Sequence, residues 1–141
     1  MKSRLRVYSD GASRGNPGPS AIAFIVLRQD GKILKRYSEY VGVRTNNQAE
    51  YEAVISALEF ASGLPGQEVV CHMDSELVVK QLNGEYRVRS SKLEILWLRV
   101  HELKQRFKKI SFIHVPRTDT YIQVVDRLAN QALDRAGGSG A

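Results

Sequence analysis

Residues 4–19 read RLRVYSDGASRGNPGP, a short alternating stretch that runs into a turn rich in glycine and proline. The alternation predicts a β-strand that ends at Asp10. The apolar run AIAFIVLRQ (21–29) predicts a buried strand, and Asp30-Gly31 is a hairpin signal before the returning strand KILKRYSEYV (32–41). Three antiparallel strands therefore begin the fold.

Hydrophobic periodicity and turn signals divide the rest of the chain into four helices and two strands. The predicted helices cover residues 46–62, 75–84, 91–107 and 121–135, and the predicted strands cover residues 68–74 and 109–115. The element order βββαβααβα predicts an α/β fold in which a mixed sheet carries helices on both faces. Ligands of open α/β sheets collect near the ends of the central strands, so functional residues are expected there.

The composition favours one compact domain in the cytoplasm, with a monomer as the default state. With 141 residues and 43% hydrophobic content, residues 1–136 are expected to form a single domain, and GGSGA (137–141) a disordered tail. The sequence has no apolar run of transmembrane length, and its first residues do not resemble a signal peptide. The lone Cys71 excludes an internal disulfide, and a buried strand position is expected for it.

Positive charge is concentrated in one segment. Residues 80–109 contain nine lysines and arginines against three glutamates, and this surplus equals the net charge of +6 of the whole chain. A lopsided basic surface favours a polyanionic partner, most often nucleic acid. The alternative interpretation is a well-solvated helix.

Glu50 lies on a helical stripe that faces the core, and Asp126 lies on a semi-buried stripe of the last helix. Glu50 shares its stripe with Val54, and Asp126 shares one with Ala129. A core-facing carboxylate costs free energy unless it is paired or ligates a cation. Glu50 could instead pair with an arginine such as Arg14, and Asp126 could be a peripheral surface acid.

Two further acids follow strands that we expect to be neighbours. Asp10 ends the first strand and Asp74 ends the strand after the first helix, and a right-handed crossover places such strands side by side. Two adjacent carboxylates repel unless a divalent cation lies between them, and oxygen-only ligands favour Mg²⁺ or Mn²⁺. Taken singly, Asp10 could be a turn residue, and Asp74 or Ser75 a helix N-cap.

Four blocks of sequence resemble those of type 1 ribonucleases H, in the order of that family. They are YSDGASRGNPGPSAIAF (8–24), TNNQAEYEAVISALE (45–59), MDSELVVKQLNGEY (73–86) and VVDRLANQALD (124–134). The blocks span nearly all of residues 4–135. The short link NGEYRVRSS (83–91) is similar to that of the handle-less branch, often found in archaea and some bacteria.

The resemblance implies a five-stranded mixed sheet in the order 3-2-1-4-5 and a metal-dependent endonuclease. Such an enzyme cuts the RNA strand of an RNA–DNA hybrid, leaving 5′-phosphate and 3′-hydroxyl ends. By the same resemblance two Mg²⁺ ions, with Mn²⁺ as a possible substitute, would be held by four carboxylates. Asp10 would bridge both ions, Asp126 would bind one, and Glu50 and Asp74 the other.

The resemblance also implies which residues bind the hybrid. The RNA strand, marked by its 2′-hydroxyls, would be read by one set of residues: Gly11, Ala12, Ser13, Asn46, Asn47 and Gln48. Asn16 and Thr45 would hold a phosphate of the DNA strand. For Asn46 and Asn47 the alternative role is helix capping.

The loop before the fourth acid departs from the family pattern. Family members often carry a mobile histidine there, whereas this chain has no histidine after His114. Arg117 is the nearest candidate to replace it. The loop TDTYIQV (118–124) also looks lengthened, which makes Asp119 a competitor of Asp126 for the fourth position.

Other functions fit less well. A 3′–5′ exonuclease of the related superfamily would carry Asp-x-Glu on the first strand, whereas Asp10 is followed by Gly11 and Ala12. Transposases and integrases use a late catalytic Glu, whereas the late acid here is Asp126. The alternative from another class is a non-catalytic module that binds hybrids, but such a module gains nothing from buried carboxylates.

Overall fold

The computed structural model describes residues 3–64 and 67–138 of the chain. The strands are β1 (Ser3–Ser13), β2 (Gly18–Arg28), β3 (Ile33–Arg44), β4 (Gln67–Met73) and β5 (Lys109–His114). The helices are α1 (Asn46–Ala61), α2 (Glu76–Leu82), α3 (Ser91–Lys104) and α4 (Thr120–Gly138). The predicted element order is confirmed.

The strands form one mixed sheet in the order β3-β2-β1-β4-β5, which confirms the predicted fold class. β1 pairs antiparallel with β2 and parallel with β4, where Val7 lies opposite Cys71 and Tyr8 opposite His72. β1 is therefore the central strand, and its end lies beside the end of β4. This juxtaposition positions the candidate site.

Two hydrophobic cores cover the two faces of the sheet. Side chains of α1, α2 and α3 pack on one face, together with Val7 and the fully buried Cys71. Side chains of α4 pack on the other face against β1 and β2, together with Tyr8. The alternation of Val7 and Tyr8 between the cores follows from the period of two along a strand. Among the helices of residues 3–64 and 67–138, none is long and apolar enough to cross a membrane.

The strand ends differ from the prediction in one place that affects the site. β1 does not end at Asp10 but continues to Ser13, because it stays paired with β2, where Asp10 lies opposite Ala23. The parallel pairing with β4, however, stops at Tyr8. Asp10 is therefore held by a strand on one side only, and the turn-residue interpretation of it is wrong.

Two helix ends also differ from the prediction. α3 ends at Lys104, since tight turns follow in which Arg106 N donates to Leu103 O and Phe107 N donates to Lys104 O. α4 continues to Gly138, two residues into the predicted tail, because extending a formed helix costs far less than starting one. The rest of that tail, residues 139–141, lies outside the described residues.

Candidate active site

Three carboxylates converge where β1 and β4 lie side by side. Asp10 comes from β1, Glu50 from α1 and Asp74 from the residue after β4, and one oxygen of each lies within 4.8 Å of the others. Asp10 and Glu50 are each only 6% exposed. The sequence analysis expected Asp10 and Asp74 to emerge side by side, and the structure brings them together as the parallel pairing requires.

Glu50 reaches the cluster because α1 packs directly on the backbone of β1. The amide of Gly11 donates a hydrogen bond to Glu50 Oε1 at 2.5 Å. The second oxygen, Oε2, is buried and has no hydrogen-bond partner within the described part of the chain. The alternative pairing with Arg14 is wrong, because that guanidinium lies 2.5 Å from Asp134 instead.

The electrostatics of the cluster favour a bound cation. Burial raises the pKa of Asp10 well above its ordinary value, and the carboxylates of Glu50 and Asp74 raise it further. Burial also raises the pKa of Glu50, against the effect of the Gly11 amide. Without a cation the cluster therefore retains a proton at neutral pH. An all-oxygen donor set that includes the unpaired Glu50 Oε2 fits a hard divalent cation.

Asp74 is half-buried at the mouth of the cluster. Burial raises the pKa of its carboxyl, and the charge of Arg117 opposes that effect. The helix that follows is capped by Ser75, whose side chain accepts from Val78 N, so the N-cap interpretation of Asp74 is wrong. The Asp74 carboxylate is thus left available for a ligand.

Asp126 lines the same cleft from α4, but its side chain is exposed. The semi-buried position expected for this side chain is therefore wrong. The buried face of this helix is formed by Ile122, Val125, Ala129, Ala132 and Leu133. Asp126 follows Val125 and is rotated from it by about 100° around the helix, which turns it towards the cleft.

Asp119 does not line this cleft. Its Oδ1 accepts hydrogen bonds from Tyr121 N at 2.9 Å and Ile122 N at 3.1 Å. Asp119 therefore caps the start of α4.

The predicted substrate-binding residues lie along two adjoining depressions. A cleft of about 520 Å³ holds the acids and is also lined by Gly11, Ala12, Ser13, Asn46 and Asn47. A neighbouring groove of about 700 Å³ is lined by Asn16, Thr45 and Gln48, together with Arg44, Ser90 and Lys92. Asn47 lines both, so the two depressions form one continuous surface.

The start of α1 is capped by residues other than the two asparagines. Thr45 Oγ1 accepts from Gln48 N, and Gln48 Oε1 accepts from Thr45 N, which forms a capping box. The capping alternative for Asn46 and Asn47 is therefore wrong. The backbone amide of Asn46 donates to Asn16 Oδ1 at 3.1 Å, and this bond connects the glycine-rich turn to the helix.

Arg117 also lines the cleft. Its Nε lies 3.8 Å from Asp74 Oδ2, and its side chain is 91% exposed. Two polar residues of the lining, Ser75 and Gln123, are not among the site residues predicted from the sequence. Gln123 could have been found from helical spacing, because it lies three residues before Asp126 and so on the same face of α4.

The basic segment divides into a free part and a paired part. Arg87, Arg89 and Lys92 are exposed, and Lys92 lines the groove described above. Arg99 is instead paired with two acids, Glu59 at 2.9 Å and Glu102 at 2.5 Å. The exposed cations nearest the groove therefore lie just before and at the start of α3, and Arg106, Lys108 and Lys109, which are also exposed, lie beyond its end.

Comparisons with known sequences give a consistent result. A family model described as reverse transcriptase-like matches residues 8–132. The chain is 42% identical to ribonuclease HI of Halobacterium salinarum over 133 residues, which cover 94% of this chain and 66% of that protein. It is 39% identical over 140 residues to a bifunctional protein of Mycobacterium tuberculosis, which cover 98% of this chain and 38% of that protein. The chain thus spans only part of the length of these relatives.

Two solved structures are similar over nearly their full length. Ribonuclease H1 from Halobacterium salinarum superposes with a TM-score of 0.89 at 42% identity, covering 94% of this chain and 98% of that chain. LC11-ribonuclease H1, solved in complex with an RNA/DNA hybrid, superposes with a TM-score of 0.86 at 39% identity, with the same coverage of 94% and 98%.

Proposed function

This chain belongs to the ribonuclease H family, and from that premise we propose that it hydrolyses the RNA strand of RNA–DNA hybrids endonucleolytically. The observation that carries the proposal is the convergence of Asp10, Glu50 and Asp74 within 4.8 Å of one another in an open cleft. Buried like charges this close are costly for a protein that only binds phosphates. The non-catalytic alternative is therefore disfavoured.

Asp10, Glu50, Asp74 and Asp126 are the residues proposed to hold two divalent cations. The chemistry that bound cations supply is activation of a water for in-line attack and stabilisation of the leaving 3′-oxygen. The protein itself holds the carboxylates in fixed positions. Burial and the Gly11 amide do this for Glu50, and pairing with β2 does it for Asp10. Mg²⁺ is the proposed cation and Mn²⁺ a possible substitute, since both prefer oxygen ligands.

Specificity is proposed to come from the residues that line the cleft beside the acids. Gly11, Ala12 and Ser13 present a strand edge, and the Asn46 and Asn47 side chains are not used for capping. Neutral donors and acceptors suit recognition of a 2′-hydroxyl, the group that distinguishes RNA from DNA. The DNA strand would then lie along the neighbouring groove, with a phosphate at Asn16 and Thr45.

Two auxiliary roles are proposed for positively charged residues near the site. Arg117, with its exposed side chain near Asp74, would stand in for the loop histidine of other family members. The exposed cations Arg87, Arg89 and Lys92 would add affinity for the hybrid through its phosphates. We keep a monomer and a cytoplasmic location as expectations from the sequence.

The test is a cleavage assay on matched duplexes. An RNA–DNA hybrid should be cut internally in Mg²⁺ and left intact with chelator, while a DNA duplex of the same sequence should be left intact in both. Replacing the ribonucleotides that flank the cut by deoxynucleotides should abolish cutting there. Binding of the hybrid without cleavage in Mg²⁺ or Mn²⁺ would support the non-catalytic alternative instead.

A further inference from the structure

Unlike Asp10 and Glu50, Asp126 is not held in place by burial. Asp10 and Glu50 are fixed by burial, whereas Asp126 projects from α4 into the open cleft. A free carboxylate on a helix surface samples several rotamers, and ordering it on a cation costs entropy. Orientation of Asp126 must therefore come from a specific contact.

That contact is made by Asn130, one helical turn further along α4. Its Nδ2 donates to Asp126 O at 3.0 Å and to the carboxylate oxygen Asp126 Oδ1 at 3.3 Å. The bond to the main chain anchors the amide, and the bond to the side chain then fixes one carboxylate oxygen. The other oxygen, Oδ2, would then be available to ligate a cation.

Arg14 defines which way the Asn130 amide faces. Its Nη2 lies 3.4 Å from Asn130 O, 3.5 Å from Asn130 Oδ1 and 2.5 Å from Asp134 Oδ1. A guanidinium only donates and a carboxylate only accepts, so Oδ1 of the amide must face Arg14 and Nδ2 must face Asp126. The glycine-rich turn after β1 is thereby linked to the acid on α4.

We propose that Asn130 is a positioning residue that orients the Asp126 carboxylate for cation binding, and that Arg14 holds the Asn130 amide in the required orientation. This inference rests on the proposed function, because it assigns Asp126 to the cation site. The sequence carries the signal in the spacing of Asp126 and Asn130, four residues apart and so adjacent on one face of a helix.

The test measures Mn²⁺ binding by calorimetry without nucleic acid, together with the Mg²⁺ dependence of hybrid cleavage. Asn130→Ala should weaken Mn²⁺ binding about tenfold and raise the half-saturating Mg²⁺ by a similar factor, as loss of an outer hydrogen bond does in metal sites. The KM for the hybrid should stay unchanged at saturating Mg²⁺. Gln131→Ala, an exposed neighbour on α4, is the matched control and should behave as the unmodified protein.

A double variant shows whether Asn130 acts through Asp126. In an Asp126→Ala background, Asn130→Ala should cause no further loss of Mn²⁺ affinity, because the carboxylate that it orients is gone. Independent, multiplying losses would overturn the proposal, and so would unchanged Mn²⁺ affinity in Asn130→Ala or a raised KM alone. The Mn²⁺ titration uses no hybrid. If the protein did not cut hybrids, the proposed nuclease activity would be refuted, but the titration would still test whether Asn130 orients Asp126.

Discussion

The amide of Gly11 donates to Glu50 Oε1 at 2.5 Å, and this contact joins the strand that carries one acid to the helix that carries the next. The approach is so close that a Cβ at position 11 would lie 2.5 Å from Glu50 N. No side chain fits in that space, so the distance between β1 and α1 depends on glycine. The carboxylate cluster is a consequence of how these two elements pack.

Gly11→Ala should therefore damage both folding and activity. Forcing a methyl group between β1 and α1 should lower the free energy of unfolding by about 1–3 kcal/mol and displace Glu50. Urea denaturation and hybrid cleavage measure the two effects. Gly137→Ala is the control, because a Cβ there meets nothing within 4 Å, and its stability should be unchanged or slightly raised. Equal behaviour of the two variants would show that β1 and α1 are not held this closely.

The metal-free protein should lose stability as pH rises. Burial and the adjacent carboxylates raise the pKa of Asp10, so the folded protein keeps a proton that the unfolded chain releases above about pH 4. Because the folded state binds this extra proton, the free energy of unfolding falls as pH rises from the pKa of Asp10 in the unfolded chain towards its raised pKa in the folded protein. Denaturation in chelator at about pH 5 and about pH 8 should show this fall.

Asp10→Asn should flatten that pH dependence while abolishing cleavage. The amide carries no charge in either state, so the variant should gain on the order of 1 kcal/mol over the unmodified protein at neutral pH without metal. Asp74→Asn should also abolish cleavage while the protein stays folded. Near-normal cleavage by either variant contradicts the two-cation proposal, and an unaltered pH slope in Asp10→Asn contradicts the burial of that charge.

The free cations at the start of α3 should contribute affinity and not chemistry. Neutralising Arg87, Arg89 and Lys92 together should weaken hybrid binding and reduce the slope of log affinity against log salt by up to about 3, with turnover at saturating substrate little changed. The matched control neutralises three exposed cations near the opposite end of the sheet, Arg106, Lys108 and Lys109. A collapse of turnover with unchanged affinity would mean that the patch has been misassigned.

Local sequence patterns predicted the buried part of the site well. Glu50 was found because a charged residue on an apolar helical stripe has few explanations, and Asp74 because a strand ends there. Asp126 is more exposed than the semi-buried stripe expected for it, since it is rotated by about 100° from the buried Val125. Strand pairing decided the remaining difference: β1 continues past Asp10 because β2 supplies partners up to Ser13, and no local pattern reports that.

The assignment of the fourth acid is decided by comparing Asp126→Asn with Asp119→Asn. Asp126 faces the cleft, so its amide variant should lose most of its activity, though less than Asp74→Asn, because Asp126 is exposed whereas Asp74 belongs to the half-buried carboxylate cluster. Asp119 accepts two backbone hydrogen bonds at the start of α4, and asparagine caps a helix about as well as aspartate.

Asp119→Asn should therefore keep nearly full activity, whereas Asp119→Ala should lose about 1 kcal/mol of stability through the missing cap. Cleavage rates at equal Mg²⁺ and urea denaturation of all three variants measure these effects. If Asp119→Asn were the more damaged of the two amide variants, the ligand would lie in the loop before α4. Asp126 would then be a surface acid without a role in cation binding, because removing the charge of a true ligand weakens cation binding.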